Sequence, residues 1–302
     1  MIGRSDHECS RNCSHESAAK KKRVIINSFS YQLGPLQITG FGIAVLIAFV
    51  AAQIICQREL ARRGHDYTAL PDLMFAALAG TFVGAKLYYV LIITHNPRDF
   101  FSRGGFVFWG GFVGAIIAVA LVIHRKHLNF NRISDVAGIA IAAGYSIGRT
   151  GCWAVGDDYG RPWDSRWAVT FPNGAPPTTV RNLEQIFHVH LPRTLSSSTL
   201  VSVYPTELYE VVLGFVMFII LWKLRDHKHA EGWLFGLYLV LAGIERFLIE
   251  FMRAKDDRFF IGGISTAQVF AAGITAVGVV WMLMRRKAGT PGHTGIYARA
   301  HA

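Results

Sequence analysis

Charged residues are scarce in this chain: 31 Lys and Arg and 20 Asp and Glu make up 17% of its 302 residues. Hydrophobic residues account for 52%, and they form long runs separated by short basic clusters. Because a membrane-spanning helix needs about 20 mostly apolar residues, this pattern argues against one soluble core. The predicted fold class is an all-α integral membrane bundle.

Three other features are missing from the sequence. The four cysteines do not have the spacing of a standard zinc site, so we expect no metal and no cofactor. No apolar stretch with a small-residue cleavage site follows the polar start closely enough to predict a signal peptide. No internal repeat is found, which gives no support to an inverted-repeat transporter.

Seven apolar runs are long enough to be membrane spans. Glycine pairs four residues apart, such as Gly80 with Gly84 and Gly110 with Gly114, predict close helix packing in lipid. We expect one membrane domain over 31–287, with tails at 1–30 (disordered) and 288–302. The predicted spans are 36–56, 70–94, 105–124, 133–155, 205–224, 232–251 and 263–284, and the polar insert at 156–203 is expected to form a small outer cap.

The net charge of +11 is explained by basic clusters at the ends of apolar runs. In membrane proteins Lys and Arg at such positions mark the cytoplasmic ends of the helices. Nucleic acid is therefore not an expected partner. We expect the N-terminus and the insert outside and the C-terminus in the cytoplasm. The run at 20–23 and Arg253, Lys255 and Arg258 depart from this pattern. The clusters are Arg58, Arg62 and Arg63; Arg125, Lys126 and Arg132; Lys223, Arg225 and Lys228; and Arg285, Arg286 and Lys287.

Several spans contain charged residues, each of which costs about 2.5–3.5 kcal/mol at mid-bilayer on insertion scales. Arg246, Glu250 and Arg253 are at i, i+4 and i+7, which predicts one shared helical face. Guanidinium groups bind phosphate in a planar, bidentate way, so together with Arg149 they predict an anionic-ligand site at the outer surface. The alternative is that they form buried structural ion pairs. Other charged residues in the spans include Lys86, Glu207, Glu210 and Glu245.

The segment 148–162 is the most unusual part of the chain, because an apolar helix there runs into a glycine-rich, charged and aromatic turn. Glycines permit positive φ angles and close approach of the backbone to a ligand. Backbone N–H groups in such a turn can bind anions. A flexible exit loop is the alternative interpretation.

Three segments resemble the prolipoprotein diacylglyceryl transferases of bacterial inner membranes, and the resemblance covers about residues 33–287. The first is Gly148-Arg149-x-Gly151, followed by Gly156 and Gly160-Arg161. The second is Pro-Thr-Glu-Leu-Tyr-Glu at 205–210, which is similar to the family's Pro-Ser-Gln-Leu-Tyr-Glu. The third is Arg246-x-x-x-Glu250-x-x-Arg253.

The resemblance implies transfer of the diacylglyceryl group of phosphatidylglycerol to the lipobox cysteine of a preprolipoprotein, with release of glycerol phosphate. The implied partners are phosphatidylglycerol, other membrane lipid and a preprolipoprotein signal peptide, and we expect a monomer in the inner membrane. Arg149 and Arg246 would hold the phosphate, and Glu250 would orient Arg246. The lipid site would further include Gly151, Gly156, Gly160, Arg161, Glu207, Tyr209, Glu210, Arg253, Lys86, Trp109, Gly110 and Gly111.

The sequence departs from the family at one chemically important place. The family carries His-Gly-Gly where this chain has Trp109-Gly110-Gly111, and an indole cannot accept a thiol proton. A thiol of pKa ~8.5 needs only partial deprotonation, so we hypothesise that Asp157 and Asp158 act as the acid and base instead, with Glu207 as another candidate base. The simpler interpretation is that both aspartates cap or solvate the turn.

Other functions stay open at this point. One is a paralogue that uses the same lipid site for a different acceptor, or an inactive lipid-binding relative. Another is a transporter of an anionic substrate, which the lack of repeats disfavours.

Overall fold

The computed structural model describes residues 24–34, 36–102, 105–192, 195–254 and 263–286. Most of this part of the chain is helical. The helices are α1 Gly40–Arg62, α2 Leu70–Tyr88, α3 Phe108–Arg125, α4 Phe130–Val155, α5 Val180–Gln185, α6 Thr206–Leu224, α7 Trp233–Ile249 and α8 Thr266–Met284. The strands are β1 Val24–Ile25, β2 Ser30–Leu33, β3 Leu36–Thr39 and β4 Val169–Thr170.

Four of these helices are long and apolar enough to cross a membrane: α1, α2 with its π-helical extension Tyr89–Thr94, α3 and α8. Their large apolar side chains are exposed, with Leu46 at 66%, Phe75 at 72% and Phe108 at 73%. Water penalises apolar surface of this extent, whereas lipid tails do not. The predicted all-α membrane fold is thereby confirmed.

The remaining predicted spans correspond to α4, α6 and α7, which differ in composition from those four. Helix α4 contains Arg132, Asp135 and Arg149, and α6 contains charged residues at both ends. Helix α7 has 17 residues and carries Glu245 and Arg246 near its C-terminus. These are the helices on which the sequence predicts ligand-binding charges.

Two predicted boundaries are wrong at the N-terminal side. Residues 36–39 form β3, which pairs antiparallel with β2, so the first helix begins at Gly40. Residues 24–30 are not a tail, because Val24 and Ile25 pair in parallel with Val169 and Thr170. Residues 1–23 and 287–302 lie outside the described residues, as do Lys255 and Arg258. The predicted tail at 288–302, the first 23 residues of the predicted N-terminal tail with their basic run at 20–23, and Lys287 fall there.

The chain forms two compact units. The first consists of Met1–Ala44, Gly148–Val211 and Arg246–Val269, and the second of Val45–Ile147, Val212–Glu245 and Phe270–Ala302. The first unit contains the insert, the N-terminal ends of α1, α6 and α8, and the C-terminal ends of α4 and α7.

Helices α2 and α3 of the second unit pack at close range because glycines face each other. A Cβ on Gly84 would collide with the backbone of Gly110 and Gly114, and a Cβ on Gly80 would collide with the Gly114 carbonyl group. Small residues allow such backbone approach in lipid, where apolar burial gives little driving force. The predicted glycine packing is confirmed for this helix pair.

Two buried carboxylates of the second unit have structural partners. Asp135 of α4 accepts hydrogen bonds from the N–H groups of Gly232 and Phe235, at 2.7 and 2.8 Å, and so caps the N-terminus of α7. Glu59 accepts a hydrogen bond from Arg63 Nε at 2.8 Å, one turn along α1. These contacts satisfy charges that would otherwise be costly to bury.

The insert in the first unit has a small core of its own. Tyr159, Phe171, Leu183 and Val203 are each at most 1% exposed. The rings of Tyr159 and Phe171 stack with centroids 5.9 Å apart. Burial of each such side chain contributes about 1.5–3 kcal/mol. Because Tyr159 belongs to the turn after α4, this core holds that turn in place.

Candidate functional site

Helix α4 ends in the glycine-rich turn that was identified in the sequence segment 148–162. Gly156 has a φ of +66°, and the N–H groups of Gly156 and Asp157 both donate to the Cys152 carbonyl oxygen, at 2.8 and 3.3 Å. This is a left-handed C-cap, in which glycine is favoured. A Cβ at position 156 would also meet the ring of Phe171. Both backbone conformation and packing therefore require glycine there.

The turn is held between the start of α6 and the chain that follows α7. Thr206 Oγ1 donates to the Asp158 carbonyl oxygen at 3.0 Å. The Gly160 N–H donates to the Tyr204 carbonyl oxygen at 2.9 Å. A Cβ on Gly160 would collide with the Met252 carbonyl oxygen and with Tyr204, so the close approach depends on glycine. Side chains from three separate segments are thereby brought together.

Charged side chains from these segments form one ion-pair network. Arg149 Nη1 donates to Asp158 Oδ2 at 2.7 Å, and Arg149 Nη2 lies 3.0 Å from Glu210 Oε1. Arg253 donates to both carboxylate oxygens of Asp158, and its Nε lies 4.0 Å from Glu250 Oε2. Asp158 thus connects the guanidinium groups of Arg149 and Arg253, and Glu250 connects Arg253 to a third arginine, Arg246.

Arg246 forms the end of this network. Its Nη2 lies 2.6 Å from Glu250 Oε2, and its side chain is 31% exposed, about twice the value for Arg149 at 16%. Its Nη1 has no hydrogen-bond partner among the described residues. Glu250, at 3% exposure, therefore orients a guanidinium group that retains a donor for an added anion.

Arg253 reaches the network by a route that the sequence did not predict. Helix α7 ends at Ile249, and the Arg253 N–H donates to the Ile249 carbonyl oxygen at 3.2 Å in the turn that follows. Arg253 then forms an isolated β-bridge with Gly160. Glu250 and Arg253 both follow the end of α7, so the predicted face is helical only as far as Ile249, but Arg253 Nε still lies 4.0 Å from Glu250 Oε2.

Asp157 and Asp158 lie in opposite electrostatic environments. Burial acts to raise the pKa of Asp158, but Arg253 and Arg149 outweigh it and hold that pKa below its ordinary value. Burial raises the pKa of Asp157, and the negative charge of Asp158 adds to this effect. Asp157 Oδ1 has no hydrogen-bond partner in the described part of the chain. The arrangement makes Asp158 an ionised partner of the arginines and leaves Asp157 able to accept a proton.

The first unit also contains the other predicted residues of the turn and of α6. Gly151 packs against Ala44 and Phe41, so the structure accounts for it by helix contact. Arg161 Nε donates to the Arg253 carbonyl oxygen at 2.9 Å. Tyr209 is half-buried on α6, and Glu207 and Glu210 are each 0% exposed.

The remaining predicted residues belong to the second unit. Lys86 is buried and donates from Nζ to the Ser102 carbonyl oxygen at 2.6 Å. Trp109 is 49% exposed, and its ring centroid lies 5.3 Å from that of Phe270. Gly110 and Gly111 are buried in the contact between α2 and α3. For these four residues a role in lipid binding stays a prediction.

Cys152 is a site residue that the sequence analysis did not include. It is buried on α4, and Arg149 Nη1 lies 3.8 Å from its Sγ. Its position three residues after Arg149, on the same face of the helix, was the signal available in the sequence.

Fold and site together define a class of protein: a helical membrane protein in which arginines and carboxylates from separate helix ends converge. Residues 28–284 match the family model described as prolipoprotein diacylglyceryl transferase. The chain belongs to the prolipoprotein diacylglyceryl transferase family and is a membrane-bound transferase. The family resemblance seen in the sequence is confirmed.

Relatives named phosphatidylglycerol–prolipoprotein diacylglyceryl transferase match over most of the chain. The protein from Stenotrophomonas maltophilia (strain R551-3) is 30% identical over 282 residues, which cover 87% of this chain and 93% of the relative. The protein from Geobacter sulfurreducens is 29% identical over 281 residues, with 87% and 98% covered. The protein from Bordetella parapertussis is 32% identical over 249 residues, with 78% and 85% covered.

Proposed function

We propose that this protein transfers the diacylglyceryl group of phosphatidylglycerol to a cysteine thiol of a prolipoprotein. The observation that carries the proposal is the continuous network Arg149–Asp158–Arg253–Glu250–Arg246. It links Arg149 and Arg246, the two arginines expected to hold the lipid phosphate, through Arg253 and through carboxylates that fix their orientation. An anionic headgroup is the ligand that such a pair of guanidinium groups suits best.

The chemistry requires a nucleophile, a proton acceptor and stabilisation of the leaving group. The thiol gives its proton to Asp157, and the thiolate attacks the glyceryl carbon that is bonded to the phosphate oxygen. The C–S bond forms as the C–O bond breaks, and the electron pair leaves with glycerol phosphate. Arg149 and Arg246 stabilise the negative charge that develops on this leaving group.

The carboxylates of the network act by positioning. Asp158 and Glu210 hold Arg149 from two sides, and Glu250 holds Arg246. Guanidinium groups fixed before the reaction need no reorganisation when the charge develops. Cys152, although close to Arg149, is buried in this arrangement and is not the acceptor thiol.

The finer parts of the proposal concern location and topology. We infer that it is a bacterial inner-membrane protein with its N-terminus outside and its C-terminus in the cytoplasm, and that it acts as a monomer. Support comes from the first unit, which combines the insert with the starts of α1, α6 and α8 and the ends of α4 and α7. Helices α1, α4, α6, α7 and α8 each have one end in this unit, as expected for a chain that alternates between the two sides of a membrane, whereas α2 and α3 lie wholly in the second unit. The basic residues Arg62, Arg132 and Arg285 all belong to the second unit. The positive-inside rule assigns such basic clusters to the cytoplasmic side of the membrane.

Transfer can be tested with purified protein in lipid nanodiscs that contain labelled phosphatidylglycerol. A lipobox peptide should gain the mass of a diacylglyceryl group on its cysteine, and the same peptide with serine in place of that cysteine should not. Diacylglycerol without a phosphate headgroup should not serve as donor. Lipid binding without transfer would instead indicate an inactive relative, and transfer only to another acceptor would indicate a specialised paralogue.

A further inference from the structure

Strands β2 and β3 form a hairpin with one apolar and one polar face. In the antiparallel register, Tyr31 lies opposite Ile38, and Gln32 lies opposite Gln37. Successive side chains of a strand point to opposite faces of the sheet, and directly opposed residues share a face. Tyr31, Leu33 and Ile38 therefore lie on one face, and the two glutamines lie on the other.

The apolar face of the hairpin is open to its surroundings. Tyr31 is 60% exposed and Leu33 is 57% exposed, and Phe29, the residue before β2, is 54% exposed. A two-stranded hairpin alone is at best marginally stable in water, and clustered apolar exposure marks a contact with lipid or with another protein. The place of the hairpin in the chain distinguishes these two partners.

The hairpin is joined directly to a membrane helix. Helix α1 begins at Gly40, whose N–H donates to the Phe29 carbonyl oxygen at 3.1 Å. Because Ser30 pairs with Thr39, the base of the hairpin lies beside the first residue of α1. The apolar part of α1 ends before Arg58 and, at 1.5 Å per residue, is about 26 Å long, whereas the hydrocarbon core of a bilayer measures about 30 Å. The start of α1 is therefore needed within the membrane, and the base of the hairpin lies at its surface.

The first turn of α1 continues the apolar exposure of the hairpin, since Phe41 and Ile43 are 44% and 41% exposed. A two-stranded sheet has two open edges, and their backbone N–H and C=O groups cannot be satisfied in hydrocarbon. The hairpin is thus suited to the headgroup region, where water reaches its edges. Tyrosine, as at position 31, is enriched at that depth.

The base of the hairpin is also held on the last turn of α4. The Phe29 N–H donates to the Ala154 carbonyl oxygen at 2.7 Å, and Ser28 Oγ donates to the Val155 carbonyl oxygen at 2.8 Å. The last carbonyl groups of a helix have no partner within it, so these donors complete the end of α4. A Cβ on Gly40 would lie 2.5 Å from Ala154 Cβ, so the start of α1 packs closely there too.

We propose that the hairpin 30–39 rests on the membrane surface, with Tyr31 and Leu33 inserted among the lipids and Gln32 and Gln37 facing water. The partner of the apolar face is membrane lipid, because the face begins where a lipid-exposed helix begins. This contact goes beyond the proposed function, since it requires neither lipid transfer nor an acceptor protein.

Photo-crosslinking tests which face of the hairpin meets lipid. Benzoylphenylalanine is introduced separately at positions 31, 33, 32 and 37 of the full chain, in nanodiscs of phosphatidylethanolamine and phosphatidylglycerol. On irradiation, we expect several-fold more lipid adduct at positions 31 and 33 than at 32 and 37. Gln32 and Gln37 are the matched controls, because both are exposed residues of the same hairpin. Should the probe at position 31 prevent folding, position 33 provides the same comparison.

The same samples distinguish lipid from a protein partner when a lipobox peptide is added. Unchanged lipid adducts at positions 31 and 33 would support the proposal. Peptide adducts that replace them would overturn it and identify a signal-peptide site, and equal lipid yields at both faces would overturn it as well. Because the readout needs no turnover, the expected pattern in a protein without transferase activity would keep this inference while the proposed function fails.

Hydrogen exchange in nanodiscs gives a second measurement. Tyr31→Ser with Leu33→Ser removes the apolar face, and Gln32→Ser with Gln37→Ser is the control. We expect exchange of the Phe29 amide and of β2 to rise several-fold in the first variant and to stay unchanged in the second, because lipid contact stabilises the hairpin against local opening. Equal exchange in the two variants would show that lipid does not hold the hairpin.

Discussion

Arg149 and Asp158 are nine positions apart in the sequence and are joined by a 2.7 Å ion pair across the C-terminal turn of α4. Asp158 adopts a φ of +59°, a conformation that non-glycine residues rarely take and that Asp tolerates better than most. The turn thereby points one carboxylate at two arginines while its neighbour, Asp157, contacts neither.

Replacing Arg246 by lysine should reduce transfer by about 10- to 100-fold, as expected for loss of a charge-assisted hydrogen bond. Lysine keeps the charge but cannot both contact Glu250 and present a planar donor pair to phosphate. Labelled phosphatidylglycerol and a lipobox peptide give the measurement. Arg181→Lys is the matched control, because Arg181 is an exposed residue of α5 that donates to Gln185 at 3.1 Å. Equal activity of the two variants would contradict the assignment of Arg246.

Asp157→Asn should lower kcat/KM by about 10²- to 10⁴-fold, the usual contribution of a general base. The fold should be retained, because Asp157 makes no ion pair in the described network. The acid limb of the pH profile should disappear with the activity. An Asp157→Asn, Asp158→Asn double variant that keeps full turnover would show that neither aspartate serves as the base.

Asp158→Asn should act on stability, with a defined pH dependence. The pKa of Asp158 is lowered in the folded protein from its ordinary value of 3.8, so its stabilisation is fully present above that value. The stabilisation is lost as the pH falls through the lowered pKa of the folded state. Unfolding midpoints of the wild type and of Asp158→Asn should therefore differ at neutral pH and converge below about pH 4. A difference that stays constant across this range would refute the ion-pair explanation.

Gly156→Ala, in the turn that ends α4, should lower Tm, whereas Gly148→Ala within α4 should not. Gly156 has a positive φ, and an added Cβ would meet Phe171, so strain and overpacking should each cost about 1–3 kcal/mol. A Cβ at Gly148 would have no neighbour within 4 Å, and alanine there should stabilise the helix by up to about 1 kcal/mol. Thermal unfolding in detergent measures both. Equal shifts in the two variants would show that the cap is not required.

Gly110→Ala separates a packing role from a lipid-binding role. A Cβ at this position would collide with Tyr88 and with the Gly84 carbonyl oxygen, so we expect a lower Tm by overpacking of about 1–3 kcal/mol. The KM for phosphatidylglycerol of the folded fraction should stay the same. Gly273→Ala is the control, because a Cβ at Gly273 would meet nothing within 4 Å. A raised KM with unchanged Tm would instead assign Gly110 to the lipid site.

Helix positions were the most predictable part of the fold, because a membrane span is defined by a continuous run of apolar residues. The ends were less predictable, since they depend on partners from elsewhere in the chain. Residues 36–39 form a strand because 30–33 lie beside them. Val24 and Ile25 are ordered because Val169 and Thr170 of the insert pair with them.

The candidate site was predictable in its members and not in its arrangement. The motifs identified Arg149, Arg246 and Glu250, and the structure joins them in one network. The helix did not extend as far as predicted, because α7 ends at Ile249 and both Glu250 and Arg253 lie in the turn that follows. Trp109 and Lys86, expected at the same site, belong to the second unit, and their part in the site stays a prediction.

Sequence alone was sufficient for the membrane class, the helices and the family, because apolar run length and ordered motifs are properties of short stretches of chain. The separate roles of Asp157 and Asp158 required the folded molecule. Two adjacent residues of the same type differ there because Arg149 and Arg253 donate hydrogen bonds to Asp158 and not to Asp157. Distances between side chains from distant segments decide which carboxyl group stays charged and which can take up a proton.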